Sequence, residues 1–197
     1  GIPSPGSAKF KKLTPVDEDS SNPYLLTSDD RTVIGKTTPK FSGGFGLNAT
    51  YKGFDMSMFF NFMYDFDVLN ANKIMLTTWA DNKENNFLMD IASDKRWRNF
   101  DDMGNEIRYS PEVLAEFKKN ATMWNPTSIG RPICMSYAVE DGSFLRLNSA
   151  TLGYTLPSVW TKKVGLSKVR FYVSGNNLFT LTGYSGYDPE VNIATGL

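Results

Sequence analysis

Between Phe41 and Phe66 the chain alternates in character from one residue to the next. Phe41, Gly43, Phe45, Leu47, Ala49 and Tyr51 fall on one face of an extended strand, and Ser42, Gly44, Gly46, Asn48, Thr50 and Lys52 on the other. Strict period two predicts a strand with one apolar face and one small or polar face. Lys52-Gly53 predicts a tight two-residue turn. Beyond it the alternation resumes. Phe54, Met56, Met58, Phe60, Phe62, Tyr64 and Phe66 share a face, and Asp55, Ser57, Phe59, Asn61, Met63 and Asp65 share the opposite one. The two strands are expected at 41–52 and 54–66, paired antiparallel.

Residues 1–39 are polar, rich in Pro, Ser and Asp, and read as loop. Residues 67–137 lose the period again. They hold Trp79, Trp97 and Trp124 and one helix signal, "SPEVLAEFKK". There Ser110 suits the N-cap, Pro111 the first helical position, and Lys118 and Lys119 the C-terminal end. Two further strands follow, at 144–156 and 168–181. In the first, Leu145 and Leu147 are out of phase with Ala150, Leu152, Tyr154 and Leu156, which predicts a bulge near Asn148. Pro157 ends that strand. In the second, Val169, Phe171, Val173, Phe179 and Leu181 face one way, and Arg170, Tyr172, Ser174, Asn176 and Thr180 the other. The 54–66 strand is expected beside 144–156.

The connections alternate in length: short at 52–53, long at 67–137, short at 157–167, long after 182. A hairpin loop normally has two to five residues, so a connection of about 70 needs a reason. Outer-membrane barrels supply one, with short periplasmic turns and long outer loops. The predicted fold is therefore all-β, with antiparallel up-and-down strands from a large outer-membrane barrel and one long, partly helical loop. Glu140, Asp141 and Asp67 would sit at the outer rim, and Pro157 at the periplasmic end. Phe54, Tyr64, Tyr51 and Tyr154 read as interface aromatics, and Asp55 and Arg170 would face the lumen.

Composition narrows the chemistry. Lys plus Arg is 21 and Asp plus Glu is 21, so net charge gives no case for nucleic acid. Histidine is absent, which removes the commonest general base and any Ser-His-Asp set. The single cysteine, Cys134, excludes an internal disulfide and reads as a small buried or loop residue. No run of 18 apolar residues suggests a transmembrane helix, and "GIPSPGSAKF" lacks the regions of a signal peptide. Asp101-Asp102 reads as solvated loop charge. "GFGLN" and "GNEIRYSP" are not phosphate loops; the glycines at 43, 44 and 46 suit a bend or a close side-chain approach within a strand. No catalytic residue, cofactor site or metal site is predicted, and the chain is not expected to be an enzyme. The tryptophans Trp79, Trp97 and Trp124 are the candidates for substrate contact, although packing within the loop is the plainer use of such residues.

At this point "EDGSFLRLNSATLGYTLP", "VRFYVSGNNLFTLTGYSGYDPEV", "DDRTVIGKTTPKFSGGFGLNATYKGFDMSMFF" and "WNPTSIGRP" together resemble the C-terminal barrel of the SusC/RagA family of TonB-dependent outer-membrane transporters from Bacteroidetes. The match covers roughly residues 29–66 and 122–191. It implies that residues 1–197 are part of the barrel, with the plug, the TonB-interacting region and the final strand outside them. It also implies import of a glycan or peptide, a SusD-like surface lipoprotein over the long loops, contact with outer-membrane lipid, and energy from the TonB complex. One departure stands out. The acidic glycine turn usual ahead of "DRTVIG" is replaced here. Asp17, Asp19 and Ser21 keep a calcium-loop spacing, but Asn22 and Pro23 stand where the sharp-turn glycine belongs. Two rival readings are a soluble all-β binding or adhesion module, and a siderophore- or cobalamin-type receptor of the same barrel kind.

Overall fold

The computed structural model describes residues 6–16, 18, 21, 25–78, 86–91, 95–101, 103–106, 111–112, 115, 120–129 and 133–190. They divide into two compact units. One comprises residues 35–69 and 139 onward, and the other residues up to 34 together with 70–138.

The first unit is a sheet. Strand β1 spans Phe41–Tyr51 and β2 spans Phe54–Tyr64. Lys52 and Gly53 both have positive φ, 46° and 90°, as the turn between right-twisted strands requires. Strand β3 is Asp67–Leu69, β4 is Val139–Asp141, β5 is Phe144–Thr155 and β6 is Arg170–Thr182. The four long strands lie in the order β1-β2-β5-β6, every neighbour antiparallel. The register carries the alternation across the sheet. Leu47 pairs with Met58, Met58 with Ala150 and Ala150 with Gly175, all on the apolar face. Gly44 pairs with Asn61, Asn61 with Arg146 and Arg146 with Thr180, all on the polar face.

The expected bulge is present. Against β2, the pairing of β5 shifts between Phe59–Ser149 and Phe60–Leu147, so Asn148 is the extra residue. Against β6 the same residue faces two, Asn177 and Leu178, and Asn177 takes a left-handed φ of 51°. An asparagine tolerates that conformation better than most residues.

Strands β3 and β4 form a separate two-stranded ladder at the loop end, where the sequence predicts only loop from residue 67. Three residues are too few to display a period, so their pairing depends on the closure of the long connection. Phe66, Val68 and Phe144 form a buried cluster there, with Met63 and Tyr184 packed against it. Gly142 is required at this point. A Cβ on it would lie 2.5 Å from Val68 Cγ2 and 2.7 Å from the Phe66 ring.

The second unit is loop-rich. Helix α1, Ala71–Met75, is capped by Asn70, whose side chain accepts the Lys73 N–H. Ile74, Ile91, Trp97, Ile129, Met135 and Ala138 are buried. Pro111, Glu112, Ala115 and Asn120 are helical, while Ser110, Lys118 and Lys119 lie outside the described residues. Helix α2, Ser158–Lys163, belongs to the sheet unit and connects β5 to β6.

Candidate functional site

The apolar face of the sheet is exposed, and its aromatics gather at two levels. Phe41 stacks on Tyr64 at the loop end, with ring centroids 5.2 Å apart. Phe54 packs on Tyr154 at the turn end, at 4.4 Å. Phe45 and Phe60 stack between them at 4.9 Å. Cross-strand aromatic pairs of this kind hold a sheet register. From Phe54 to Tyr64 the strand advances about 33 Å at its usual rise. Tilted by about 40°, that covers about 25 Å along a membrane normal, the height of the apolar band of a transmembrane barrel. Phe45, Leu47, Leu152, Val173 and Leu181 are exposed between or near these levels.

The opposite face is polar and internally bonded. Arg170 on β6 donates to Asp55 on β2 through both Nε, at 3.1 Å, and Nη2. The strand between them is β5, and the pair passes over Gly153, where a Cβ would come within 2.5 Å of Arg170 Nη2 and 2.7 Å of the Asp55 carboxylate. Nearer the loop end, Arg146 is almost buried. Its Nη2 lies 2.6 Å from Asp188 and its Nη1 2.7 Å from Glu190. Asn61 Nδ2 approaches Glu190 Oε1 at 3.5 Å. The stretch after β6 thus folds back over the polar face. It is fixed again where Glu140 accepts the Ser185 N–H and Oγ–H, each at 2.8 Å. Burial pushes the Asp188 carboxyl up, but the Glu190 N–H and the Arg146 guanidinium more than offset this and hold it below the usual range. Burial, together with the Glu140 charge, pushes the Tyr184 phenol up.

Phe59 is a large apolar side chain on this face, in phase with Met63 and Phe144 nearer the loop end. Its ring lies across β1, where Gly44 and Gly46 leave room; a Cβ on Gly44 would be 2.9 Å from Phe59 Cζ. This is the close approach that the strand glycines predicted.

The tryptophan candidates separate. Trp79 lies outside the described residues. Trp97 is 8% exposed, with Gly6 pressed against its indole. Its backbone N–H donates to the Met123 carbonyl at 2.9 Å, which sets it on the segment next to Trp124. Trp124 is half-buried; its Nε1–H donates to the Thr77 carbonyl at 3.2 Å and its ring meets Tyr137 edge-on at 4.9 Å. Lys73 sits over that Tyr137 ring at 4.5 Å. Asp17 and Asp19 of the calcium-like spacing lie outside the described residues. Among the described residues no group of three or more His, Cys, Asp or Glu could hold a metal. Asp101 is engaged by the Met103 and Asn105 backbone N–H groups at 2.9 and 2.8 Å, and Cys134 is exposed. Two features escaped the sequence reading: the Arg146 cluster, whose partners lie 42 and 44 residues away, and Trp160 on α2, which is 61% exposed.

Comparison with known proteins places this architecture. No protein-family model matches the chain. TonB-dependent receptor P3 of Formosa agariphila is 35% identical over 167 residues, which is 85% of this chain and 14% of that protein. The chain belongs to the TonB-dependent receptors. Two further TonB-dependent receptors of the same organism are 26% and 25% identical, over 83% and 94% of the chain and 14% and 16% of their own lengths. The chain therefore spans about one seventh of the length of the curated relatives it matches. Among solved structures, the RagAB peptide importer in its closed-closed state superposes with a TM-score of 0.61 at 24% identity, covering 84% of this chain and 16% of that one. The open-open state gives 0.60 over the same shares. These likenesses show the fold: an open four-stranded section of a receptor barrel in the outer membrane.

Proposed function

We propose that the chain forms part of the wall and outer loops of a TonB-driven nutrient importer in the outer membrane. Its role is passage rather than bond chemistry, so it is not an enzyme. A peptide or oligosaccharide is the substrate class, and a SusD-like surface lipoprotein is the partner over residues 67–137. The observation that carries this reading is the sorting of faces across β1-β2-β5-β6. At the paired positions from Phe41 to Leu181 one face, the lipid face in this reading, carries only apolar or aromatic residues and glycine, while the other, lumenal in this reading, carries the Asp55, Arg146 and Arg170 clusters. A soluble sandwich would cover that apolar face with a second sheet, whereas Phe171, Val173 and Leu181 are 64%, 68% and 60% exposed. Membrane crossing by strands needs no long apolar helix, and none of the described helices is long and apolar enough to cross.

In this reading Trp79, Trp97 and Trp124 belong to the loop body that faces the lipoprotein and the incoming substrate. Trp124, the more exposed of the two described, is the better candidate to touch either. The test is carried out on the receptor that contains this chain, in its native host. Deleting it should abolish growth on one class of peptide or oligosaccharide, and the receptor should co-purify in detergent with a surface lipoprotein. Recovery in the soluble fraction would overturn the barrel reading. Loss of ferric-siderophore or cobalamin uptake, with peptide and glycan growth intact, would move the receptor to the rival substrate class.

A further inference from the structure

Helix α2 ends the lipid face at the turn side, and its sequence, "SVWTKKVGLS", is neither a hairpin turn nor a buried helix. Thr161 is its buried residue, 2% exposed. Val159, Trp160, Val164 and Leu166 are 67%, 61%, 70% and 50% exposed, and Lys162, Lys163 and Lys168 are exposed beside them. The arrangement is fixed by the helix end. Gly165, with φ 73°, lets its own N–H reach the Lys162 carbonyl at 3.2 Å and the Leu166 N–H reach the Thr161 carbonyl at 3.0 Å. These are the two bonds of a Schellman cap, which folds the residue after the glycine back onto the last turn. Leu166 is thereby brought alongside the helix instead of trailing away from it. The helix also sits directly on the ends of the membrane strands, because the Leu156 N–H donates to the Val169 carbonyl at 2.9 Å and extends the β5–β6 ladder to its base. The turn-end aromatic row of Phe54, Tyr154 and Phe171 lies two positions along the strands from that bond.

We propose that α2 is a foot that seats in the headgroup layer of the inner leaflet. Trp160, Val159, Val164 and Leu166 enter the boundary between headgroups and acyl chains, and Lys162 and Lys163 hold anionic headgroups. The occupant follows from two observations. The exposed apolar residues lie at the turn end of the sheet, beyond its last aromatic row, and the charges carried by the helix itself, Lys162 and Lys163, are both positive on a chain that is neutral overall. An indole prefers this interface because its body is apolar and its N–H is polar. Lysine stems can lie along the apolar surface while their ammonium groups reach the phosphates. Each such lysine strengthens attraction to an anionic bilayer about fivefold. The proposal rests on the barrel reading above.

The test uses the receptor containing this chain, reconstituted in nanodiscs of phosphatidylethanolamine and phosphatidylglycerol with bromine on either shallow or deep acyl carbons. The fluorescence difference between the parent and Trp160→Phe isolates Trp160. Quenching by shallow bromines and protection from aqueous acrylamide are expected. The variant Lys162→Gln/Lys163→Gln should retain less phosphatidylglycerol after detergent extraction, with affinity down about fivefold for each lysine. Quenching of Trp160 by acrylamide alone would place α2 in water, and quenching by neither agent would place it against protein; either overturns the proposal. A tryptophan introduced by Phe60→Trp in the Trp160→Phe background separates the two readings. If deep bromines quench it while Trp160 is untouched, the barrel stands and the foot falls. If they do not, the barrel reading itself has failed.

Discussion

Arg170 reaches across the width of a whole strand to bind Asp55, and it can do so because Gly153 lies between them without a side chain. The pair fastens β6 to β2, two strands that share no backbone hydrogen bond. If the three residues act as one unit, their substitutions should not add. Asp55→Asn and Arg170→Gln should each lower the unfolding temperature of the receptor in detergent, and the double variant should fall no further than the larger single effect. Gly153→Ala should reproduce the loss with both charges still in place. Additive losses would mean that the pair contributes nothing beyond its separate side chains.

The two faces of β2 should respond oppositely to charge. Met58 stands at mid-height on the apolar face, proposed to meet lipid, and Ser57 beside it on the polar face. Met58→Arg should cost about 2–4 kcal/mol, the range for a basic side chain at the bilayer midplane, and Ser57→Arg much less. Equilibrium unfolding from lipid vesicles measures both. Equal costs would show that the faces are wrongly assigned.

Gly44 should not accept a side chain. Its Cβ would strike both the Phe59 ring and the Phe60 carbonyl oxygen, each at 2.9 Å. Gly44→Val should destabilise by about 1–3 kcal/mol, the usual overpacking range. Phe59→Ala in the same chain should recover part of that loss, because it removes the ring but not the carbonyl. Thermal melts of the three variants decide it.

The fold-back after β6 depends on two carboxylates meeting one guanidinium. Asp188→Asn with Glu190→Gln should free residues 184–190, seen as faster amide exchange there, while the β5–β6 ladder stays protected. Arg146→Lys should behave like the double variant, since a single ammonium cannot form the two forked contacts. Unchanged exchange at 184–190 would show that the Glu140–Ser185 bonds suffice alone.

Asp30 ties residues 13–14 to 27–30. Its carboxylate accepts from the Thr14 and Leu13 N–H groups at 2.8 and 2.9 Å, from the Thr14 hydroxyl at 2.8 Å and from the Thr27 N–H at 2.9 Å. These donors, the Thr14 and Thr27 N–H groups foremost, hold its pKa far below the ordinary 3.8. A depressed folded value stabilises the segment at pH above about 4. That contribution should fade as pH falls below the unfolded value toward the folded one. Carboxyl carbon shifts of Asp30 should stay those of a carboxylate at pH 3. Titration near 4 would mean the donors are not engaged.

How far the residues themselves disclosed this depends on periodicity. Along β2 and β6 the apolar-face positions keep one parity from end to end, so Phe54 to Tyr64 and Phe171 to Leu181 can be read directly. On β5 the parity changes at Asn148, and the clash of phase between Leu147 and Ala150 exposed the bulge. Strands β3 and β4 were illegible because three residues carry no period. The Arg146 cluster was illegible because nothing local links residue 146 to residues 188 and 190. Trp160 escaped notice because a six-residue helix shows too few turns for an amphipathic stripe. Trp97 and Trp124 could be found as large aromatics, but not the Gly6 and Thr77 neighbours that occupy them.

The bulge at Asn148 has a geometric consequence for the wall. Between the level of the Phe54–Tyr154–Phe171 row and that of the Phe60–Leu147–Phe179 row, β2 takes six residues, β5 seven and β6 eight. The same climb is made on a progressively longer path, as on the outer lane of a curved track. Two extra residues correspond to about 7 Å of extended chain, which the bulged strands absorb by bending and extra twist. Curvature is therefore concentrated along one line across β5 and β6 instead of being spread evenly along them. Removing Asn148 would straighten that line, and it would also turn half of β5 inside out, with either Leu145 and Leu147 or Leu152 and Tyr154 on the face of Asp55 and Arg146.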